Sequence, residues 1–153
     1  MPAAAQTHPS FKEMFARLLS AEGQGRPAKT VEVFGWLILA EGSLELFLPY
    51  FVVSLLRLPP LTPEAAMYLR VAGLLVAGIG MIYVVSGRVN AEGFVFASLL
   101  DRPLVPVIMG VLWYMDLLSG IIALAFSVQD FGSFLWTLAE WKAAAPSHKQ
   151  ALT

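Results

Sequence analysis

Long apolar stretches separated by short polar breaks dominate the pattern of the chain. A helix that crosses a bilayer core of about 30 Å needs about 20 mostly apolar residues. Stretches at about 31–56, 63–86 and 104–126 meet this length, and a fourth at 127–141 is shorter. The pattern predicts an all-α, polytopic membrane protein whose residues 31–141 form a four-helix transmembrane bundle.

The fourth stretch has two interpretations. Its length corresponds to only about 22 Å of helix, so it either crosses a locally thinned bilayer or lies flat on the surface. With four spans, every Lys and Arg outside the helices except Arg57 lies on the side of the termini. The positive-inside rule therefore favours four spans with both termini cytoplasmic.

Residues 1–30 and 142–153 are predicted to be cytoplasmic tails, and we expect no cleavable signal peptide. Ser10 and Glu13 have the spacing of a helix capping box. Apolar residues at helical spacing follow, with Lys12 and Arg17 on the other side. This amphipathic helix fits the cytoplasmic leaflet or a docking site on a neighbouring protein equally well. Its apolar residues are Phe11, Met14, Phe15, Leu18 and Leu19.

Composition narrows the function classes. Charged residues make up 14% of the chain, against about 25% in a soluble domain, and a net charge of -1 argues against nucleic-acid binding. The chain has no Cys, and its two His, His8 and His148, lie in the tails. We therefore expect no metal site, no cofactor and no imidazole at membrane depth for haem, copper or chlorophyll. No nucleophile stands beside a base, so we expect no enzyme.

An ionisable residue within a span needs a partner or a changed protonation state, and four such residues are candidates for a site: Glu41, Glu45, Arg70 and Asp116. Glu41 and Glu45 are one helical turn apart and share a face. Counted along their helices, they and Asp116 fall near the middle of the bilayer, and Arg70 can reach inward toward Glu45. Because one arginine cannot neutralise three carboxylates, we expect at least one to be protonated.

This acidic cluster has two interpretations as well. It is either a site for a proton, a cation or the head of a quinone-like or lipid ligand, or a set of neutral hydrogen-bonded contacts between helices or with a partner subunit. A proton route needs a continued chain of polar groups, and few are available. The second interpretation is therefore the stronger one.

Small residues indicate where helices approach closely in lipid. Aromatic residues near a span end are typical of an interface belt, which fits Trp36 and Trp141 better than a pigment or quinone platform does. Pro49 is expected to bend the first span. The predicted helix-packing residues are Gly73, Ala77, Gly80, Gly110 and Gly120, with Gly35 and Gly42 on the first span and Gly78 beside the second-span set.

Three segments carry a resemblance. The turn 56–64, the stretch Leu69–Gly73 and the glycine-rich stretch Gly78–Tyr83 resemble those of small, uncharacterised four-helix bacterial integral membrane proteins. The likeness covers about residues 31–141. It implies a four-helix bundle in a bacterial inner membrane and brings no activity with it.

Two functions follow as hypotheses. The first is a non-catalytic accessory or structural subunit of a larger membrane complex, respiratory or photosynthetic, whose partners are lipid and other membrane subunits. The alternative is a stand-alone carrier or a lipid- or quinone-binding bundle that uses the acidic cluster. Contacts with lipid, quinone or pigment are compatible with both hypotheses.

Overall fold

The protein is built from α-helices throughout the part that the structure describes. The computed structural model describes residues 9–150, with side chains as far as Ala144. In chain order the helices are α1 (Phe11–Ser20), α2 (Arg26–Phe47), α3 (Pro49–Leu55), α4 (Pro63–Arg88), α5 (Glu92–Asp101), α6 (Leu104–Tyr114) and α7 (Gly120–Gln150). Three helical segments are long and apolar enough to cross a membrane: α4, α5 together with α6, and α7. There are four if the bent pair α2–α3 is one span. The predicted all-helical class is confirmed, and the lengths and apolar composition of these helices are compatible with an integral membrane protein.

Local side-chain chemistry sets several helix ends. The Ser10 hydroxyl accepts a hydrogen bond from the Glu13 N–H, and the Glu13 carboxylate accepts one from the Ser10 N–H at 2.6 Å, which completes a capping box. The Thr62 hydroxyl caps α4 by accepting a hydrogen bond from the Ala65 N–H at 3.2 Å, with Pro63 as the first helical residue. Left-handed residues reverse the chain between helices. They are Ala21, Arg57, Asn90 and Asp116.

The first candidate span breaks where the proline predicted it. Helix α2 ends at Phe47, and α3 leaves Leu48 at an angle of 113°. Pro49 has no N–H to continue the α2 hydrogen-bond ladder. Helix α2 alone is about 33 Å long, but it is apolar enough to count as a candidate span only together with α3.

The structure corrects the boundary between the third and fourth spans. The third candidate span runs from Glu92 to Tyr114, not 104–126, and the fourth runs from Gly120 to Ala144, not 127–141. Arg102 lies just before the predicted start of the third span at 104, and Asp130 lies near the predicted start of the fourth at 127. Both side chains are buried inside the protein, so neither position marks a span end.

The first two candidate spans form the most extensive helix pair, and α2 lies between α4 and α7. The Gly25 N–H donates to the Asn90 side chain at 3.0 Å, which places the start of α2 beside the α4–α5 turn. We call this the proximal end (Gly25, Arg88, Glu92), and the opposite end, with the turns 56–62 and 115–119, the distal end. The hydrophobic core lies toward the proximal end, around Ala28, Val31, Phe34, Ile38, Tyr83 and Val95.

Candidate functional site

A buried arginine lies at the centre of the molecule. Arg102 follows α5 directly, and none of its surface is exposed. Counted from Glu92 at about 1.5 Å per residue, it lies about 15 Å into the third candidate span. An ionisable side chain at this depth is costly unless other groups compensate it, and it marks a candidate functional site.

Two aromatic rings and one hydroxyl hold the guanidinium in place. Its central carbon lies 4.2 Å from the centroid of the Phe34 ring and 5.2 Å from that of Tyr83, within the range of cation–π attraction. Nη1 donates to Oγ1 of Thr137 at 2.9 Å and to the Ser133 carbonyl at 3.4 Å. The cation is thus attached to α2, α4 and α7 together.

A second hydroxyl extends this contact. Oγ1 of Thr30 and Oγ1 of Thr137 lie 2.8 Å apart, and both residues are buried. Thr30 also donates to the Pro27 carbonyl at 2.7 Å. One polar network therefore joins all four candidate spans. We call Phe34, Tyr83, Arg102, Asp130 and Thr137 the arginine cluster.

Two carboxylates act on Arg102 from different environments. Both Asp101 and Asp130 are close enough to act on the guanidinium electrostatically, although neither forms an ion pair with it. Asp130 is 8% exposed and inside the cluster, whereas Asp101 lies on the outer surface, where it accepts a 3.5 Å contact from the Tyr83 hydroxyl. Nε and Nη2 of Arg102 have no hydrogen-bond partner among the described atoms. Because Arg102 and Asp130 are buried and Asp101 is exposed, Asp101 is the charged residue of the three that a neighbouring molecule can contact.

A separate polar cluster lies near the proximal end. Arg88 and Glu32 form an ion pair at 2.8 Å, the one found between described side chains. Gln24 donates to the other Glu32 oxygen at 2.7 Å, and Trp36 donates to the first at 3.3 Å. These contacts bind the start of α2 to the end of α4.

The predicted acidic cluster is only partly assembled. Glu41 and Glu45 lie on α2, each about half-buried, and the Gln129 amide donates to Glu41 at 2.9 Å. Arg70 is on α4 and forms no ion pair within the described region. Asp116 is exposed in the distal turn with φ of 57°. The structure thus corrects its placement at mid-membrane, because the chain leaves the third span before residue 116.

The predicted packing residues also divide into two groups. An added Cβ at Gly73 would lie 2.6 Å from the Leu46 backbone N, and one at Gly80 would meet the Leu39 and Gly35 backbones. The Ala77 backbone lies against Gly42 on the facing helix α2.

The other predicted packing glycines have no close contact with a neighbouring backbone. At Gly78 and Gly110 an added Cβ meets nothing within 4 Å, and at Gly120 it meets only the Trp113 ring at 3.2 Å or more. The structure therefore corrects Gly110 as a site of close helix approach.

The two predicted interface tryptophans lie toward the proximal end. Trp36 is half-exposed and bonded to Glu32, and Trp141 lies beside the Phe96 ring at a centroid distance of 6.4 Å. Trp141 also packs against the core. It combines a packing role with its position near the span end.

An apolar groove of about 790 Å³ runs between α2 and α7. Phe34, Trp136 and Gln129 line it, together with smaller apolar residues such as Gly132. Gln129 also bonds Glu41, so the groove adjoins one of the predicted acids. Among the described residues, no three Asp, Glu or His side chains are grouped so that they could hold a metal ion.

Sequence reasoning missed Arg102, Asp130 and the two threonines. The available signal was the apolar sequence on both sides of Asp101-Arg102-Pro103: Phe94, Val95 and Phe96 before it and Leu104 and Val105 after it. A charged turn in water would have polar flanks. Comparisons of the chain with protein-family models, with curated proteins and with solved structures find no match.

Proposed function

We propose that this protein is a non-catalytic accessory subunit of a larger membrane complex, respiratory or photosynthetic, in a bacterial inner membrane. One observation carries the proposal, the Asp101 carboxylate on the outer surface of the third candidate span. It lies about 14 Å from the start of that span. Insertion scales assign a charged residue at mid-helix a cost of about 2.5–3.5 kcal/mol. A partner helix that offers a cation or a hydrogen-bond donor removes most of this cost.

The distal half of the third span supports the same proposal. Helix α6 has no buried residue and lies mainly against α7. Its outer faces carry large apolar side chains such as Val107, Val111 and Trp113, each more than half exposed. A partner helix that covers Asp101 can continue along these faces, because α6 extends α5 in the same span.

The proposed topology is a four-helix transmembrane bundle with both termini cytoplasmic and α1 at the membrane interface. Charges support this orientation through the positive-inside rule. At the proximal end, Arg26, Lys29 and Arg88 lie at or close to the helix ends. The distal turns contain Arg57 and no other Lys or Arg.

The proposal is tested by gentle detergent extraction followed by native mass measurement. We expect stable co-migrating subunits, and a photo-crosslinking side chain at Ala97, one turn before Asp101, should capture one of them. Asp101→Asn should reduce the co-purified partner roughly tenfold, which corresponds to about 1.4 kcal/mol. Asp101→Glu should retain it.

Glu64→Gln is the matched control, since Glu64 is an exposed acid in the first turn of α4 at the distal end. It should leave the partner bound. A lone monomer or homo-oligomer after gentle extraction would contradict the proposal. Equal loss in Asp101→Asn and Glu64→Gln would remove Asp101 as the contact.

A second function, binding of a lipid or quinone by a stand-alone bundle, is favoured by the α2–α7 groove. Gly132 lines this groove and has no neighbour within 4 Å of an added Cβ. Gly132→Leu should therefore fill the groove and displace a co-purifying lipid or quinone. Gly110→Leu, on α6 with equally open surroundings, is the control. Unchanged ligand content in the Gly132 variant would contradict this function.

A further inference from the structure

Helix α1 presents an unpartnered apolar edge. Phe11, Phe15 and Leu19 are 84%, 51% and 66% exposed, and none of the α1 residues is buried. The three side chains recur every four residues, so they share one side of the helix. The Phe11 and Phe15 rings stack at a centroid distance of 6.3 Å. We call these three residues the apolar edge of α1.

The position of α1 is fixed relative to the spans. Met14 and Leu18 are half-buried beside the apolar edge, and α1 contacts α4. Nη1 of Arg88, the last residue of α4, donates to the Leu18 carbonyl at 3.2 Å. A short link, 21–25, then leads into α2. Helix α1 therefore lies at the level where α4 ends and α2 begins.

The lipid-facing surface extends close to this level. Ile82 and Val85, within the last two turns of α4, are 56% and 38% exposed. An apolar edge beside such residues meets the boundary between lipid headgroups and acyl chains. Interfacial helices place their apolar side at this boundary.

Cations border the apolar side of α1. At about 100° per residue, Lys12 lies next to Leu19 at one margin and Arg17 lies beyond Met14 at the other. Both are exposed, as are Arg26 and Lys29 at the start of α2. Glu13 and Glu22 are the exposed acids of the same segment, so cations are in excess. Long basic side chains at the margins of an apolar side can reach anionic headgroups.

We propose that the apolar edge of α1, with Lys12 and Arg17, binds the anionic lipid surface of the leaflet at the proximal end. The cations attract negatively charged headgroups, and the apolar edge enters the acyl boundary below them. This inference rests on the proposed membrane placement and not on the proposed partner. It makes α1 a lipid-selective contact of the bundle.

The absence of Cys from the chain makes the test direct. Full-length Phe15→Cys and Glu13→Cys, labelled with an environment-sensitive fluorophore, are reconstituted without partners into vesicles of phosphatidylcholine, with or without phosphatidylglycerol. With anionic lipid, a lipid-attached quencher should reach the position-15 label, and aqueous iodide should reach the position-13 label. Leu19→Cys, on the same edge, is a second reporter in case the label at residue 15 disturbs the helix.

The charge contribution is tested by Lys12→Gln with Arg17→Gln. Each cation near an anionic surface changes the bound-to-free ratio by roughly fivefold, so the double variant should lose most of the shielding at position 15 in anionic vesicles. In neutral vesicles it should match the parent chain.

Three results would overturn the proposal. The first is iodide access to labels 15 and 19 in both vesicle types. The second is shielding from iodide without lipid quenching, which would mean that the edge docks on protein. The third is equal shielding in neutral and anionic vesicles. None of these depends on Asp101, so failure here and failure of the subunit proposal are distinguishable.

Discussion

The α2–α4 pair and helix α6 show two ways in which an apolar helix can be held in lipid. In the pair, glycines let the two backbones touch, so that a Cβ added at Gly35 would lie 2.6 Å from the Val84 backbone N. Helix α6 is more apolar than either, but none of its residues is buried, and Gly110 on it faces open space. Apolar character is common to both regions, whereas complementary surfaces are found only in the first.

The difference in packing between the α2–α4 pair and α6 follows from the properties of lipid as a solvent. Lipid tails are as apolar as leucine, so hydrophobicity does not drive one helix against another in a membrane. Close packing does, and it requires small residues at matching positions. On α2 these are Ala28, Gly35 and Gly42, and on α4 they are Ala66, Gly73, Gly80 and Gly87, each set spaced by seven residues.

Helix α6 is held mainly from its ends and by α7. Arg102, just before it, is anchored to Thr137 and Phe34, and the left-handed Asp116 turns the chain into α7 after it. The rest of α6 is free to contact lipid or a partner. The comparison therefore locates the closely packed part of the molecule at α2–α4 and an exposed apolar surface at α6.

The largest expected effect disrupts the closely packed α2–α4 pair. Gly73→Val places a branched side chain against the Leu46 and Glu45 backbone region, where even a Cβ would lie 2.6 Å from the Leu46 N. Neither backbone can move without separating the helices, so we expect a loss of about 3 kcal/mol in the free energy of unfolding. Unfolding in detergent or bicelles measures it. Gly78→Val, on the same helix with open space around it, should change little; equal losses would contradict the close-packed interface.

A smaller effect should follow from removing the anchor of the third span. Arg102→Met loses the Thr137 hydrogen bond and the Phe34 contact and removes the positive charge that acts on the buried Asp130, and we expect a loss of about 2 kcal/mol. Adding Asp130→Asn should recover about 1 kcal/mol, because the uncompensated carboxylate is then gone. A double-mutant cycle measures this coupling.

Arg57→Met is the control for that cycle. Arg57 is exposed in the distal turn, and its replacement should alter the free energy of unfolding by less than about 0.5 kcal/mol. Strictly additive losses in the Arg102 and Asp130 variants would show that the two charges do not compensate each other.

The comparison also separates what sequence predicts from what it does not. The all-helical class, the bend at Pro49 and the capping box of α1 depend on residues close in the chain, and local pattern contains that information. The small-residue interface was visible at Gly73 and Gly80 for the same reason, because helical spacing places them on one face.

The arginine cluster depends on partners far apart in the chain. Arg102 and Asp130 each resemble a helix boundary when read alone, since isolated charges are rare inside spans. Their compensation becomes evident only when α5 and α7 are packed together. This misreading moved the third span by about three turns and placed Asp116 inside a helix that ends before it.

The smallest expected effect concerns the exposed surface of α6. Gly110→Ala adds a methyl group that meets nothing within 4 Å, and alanine favours a helix over glycine by up to about 1 kcal/mol. We expect the free energy of unfolding of the purified chain to be unchanged or to rise by about 0.5 kcal/mol. A loss of about 1 kcal/mol would mean that α6 is packed as closely as α4. In the native complex, the larger Gly110→Leu should instead weaken partner binding if the partner covers α6. The leucine side chain would then occupy space that the partner fills.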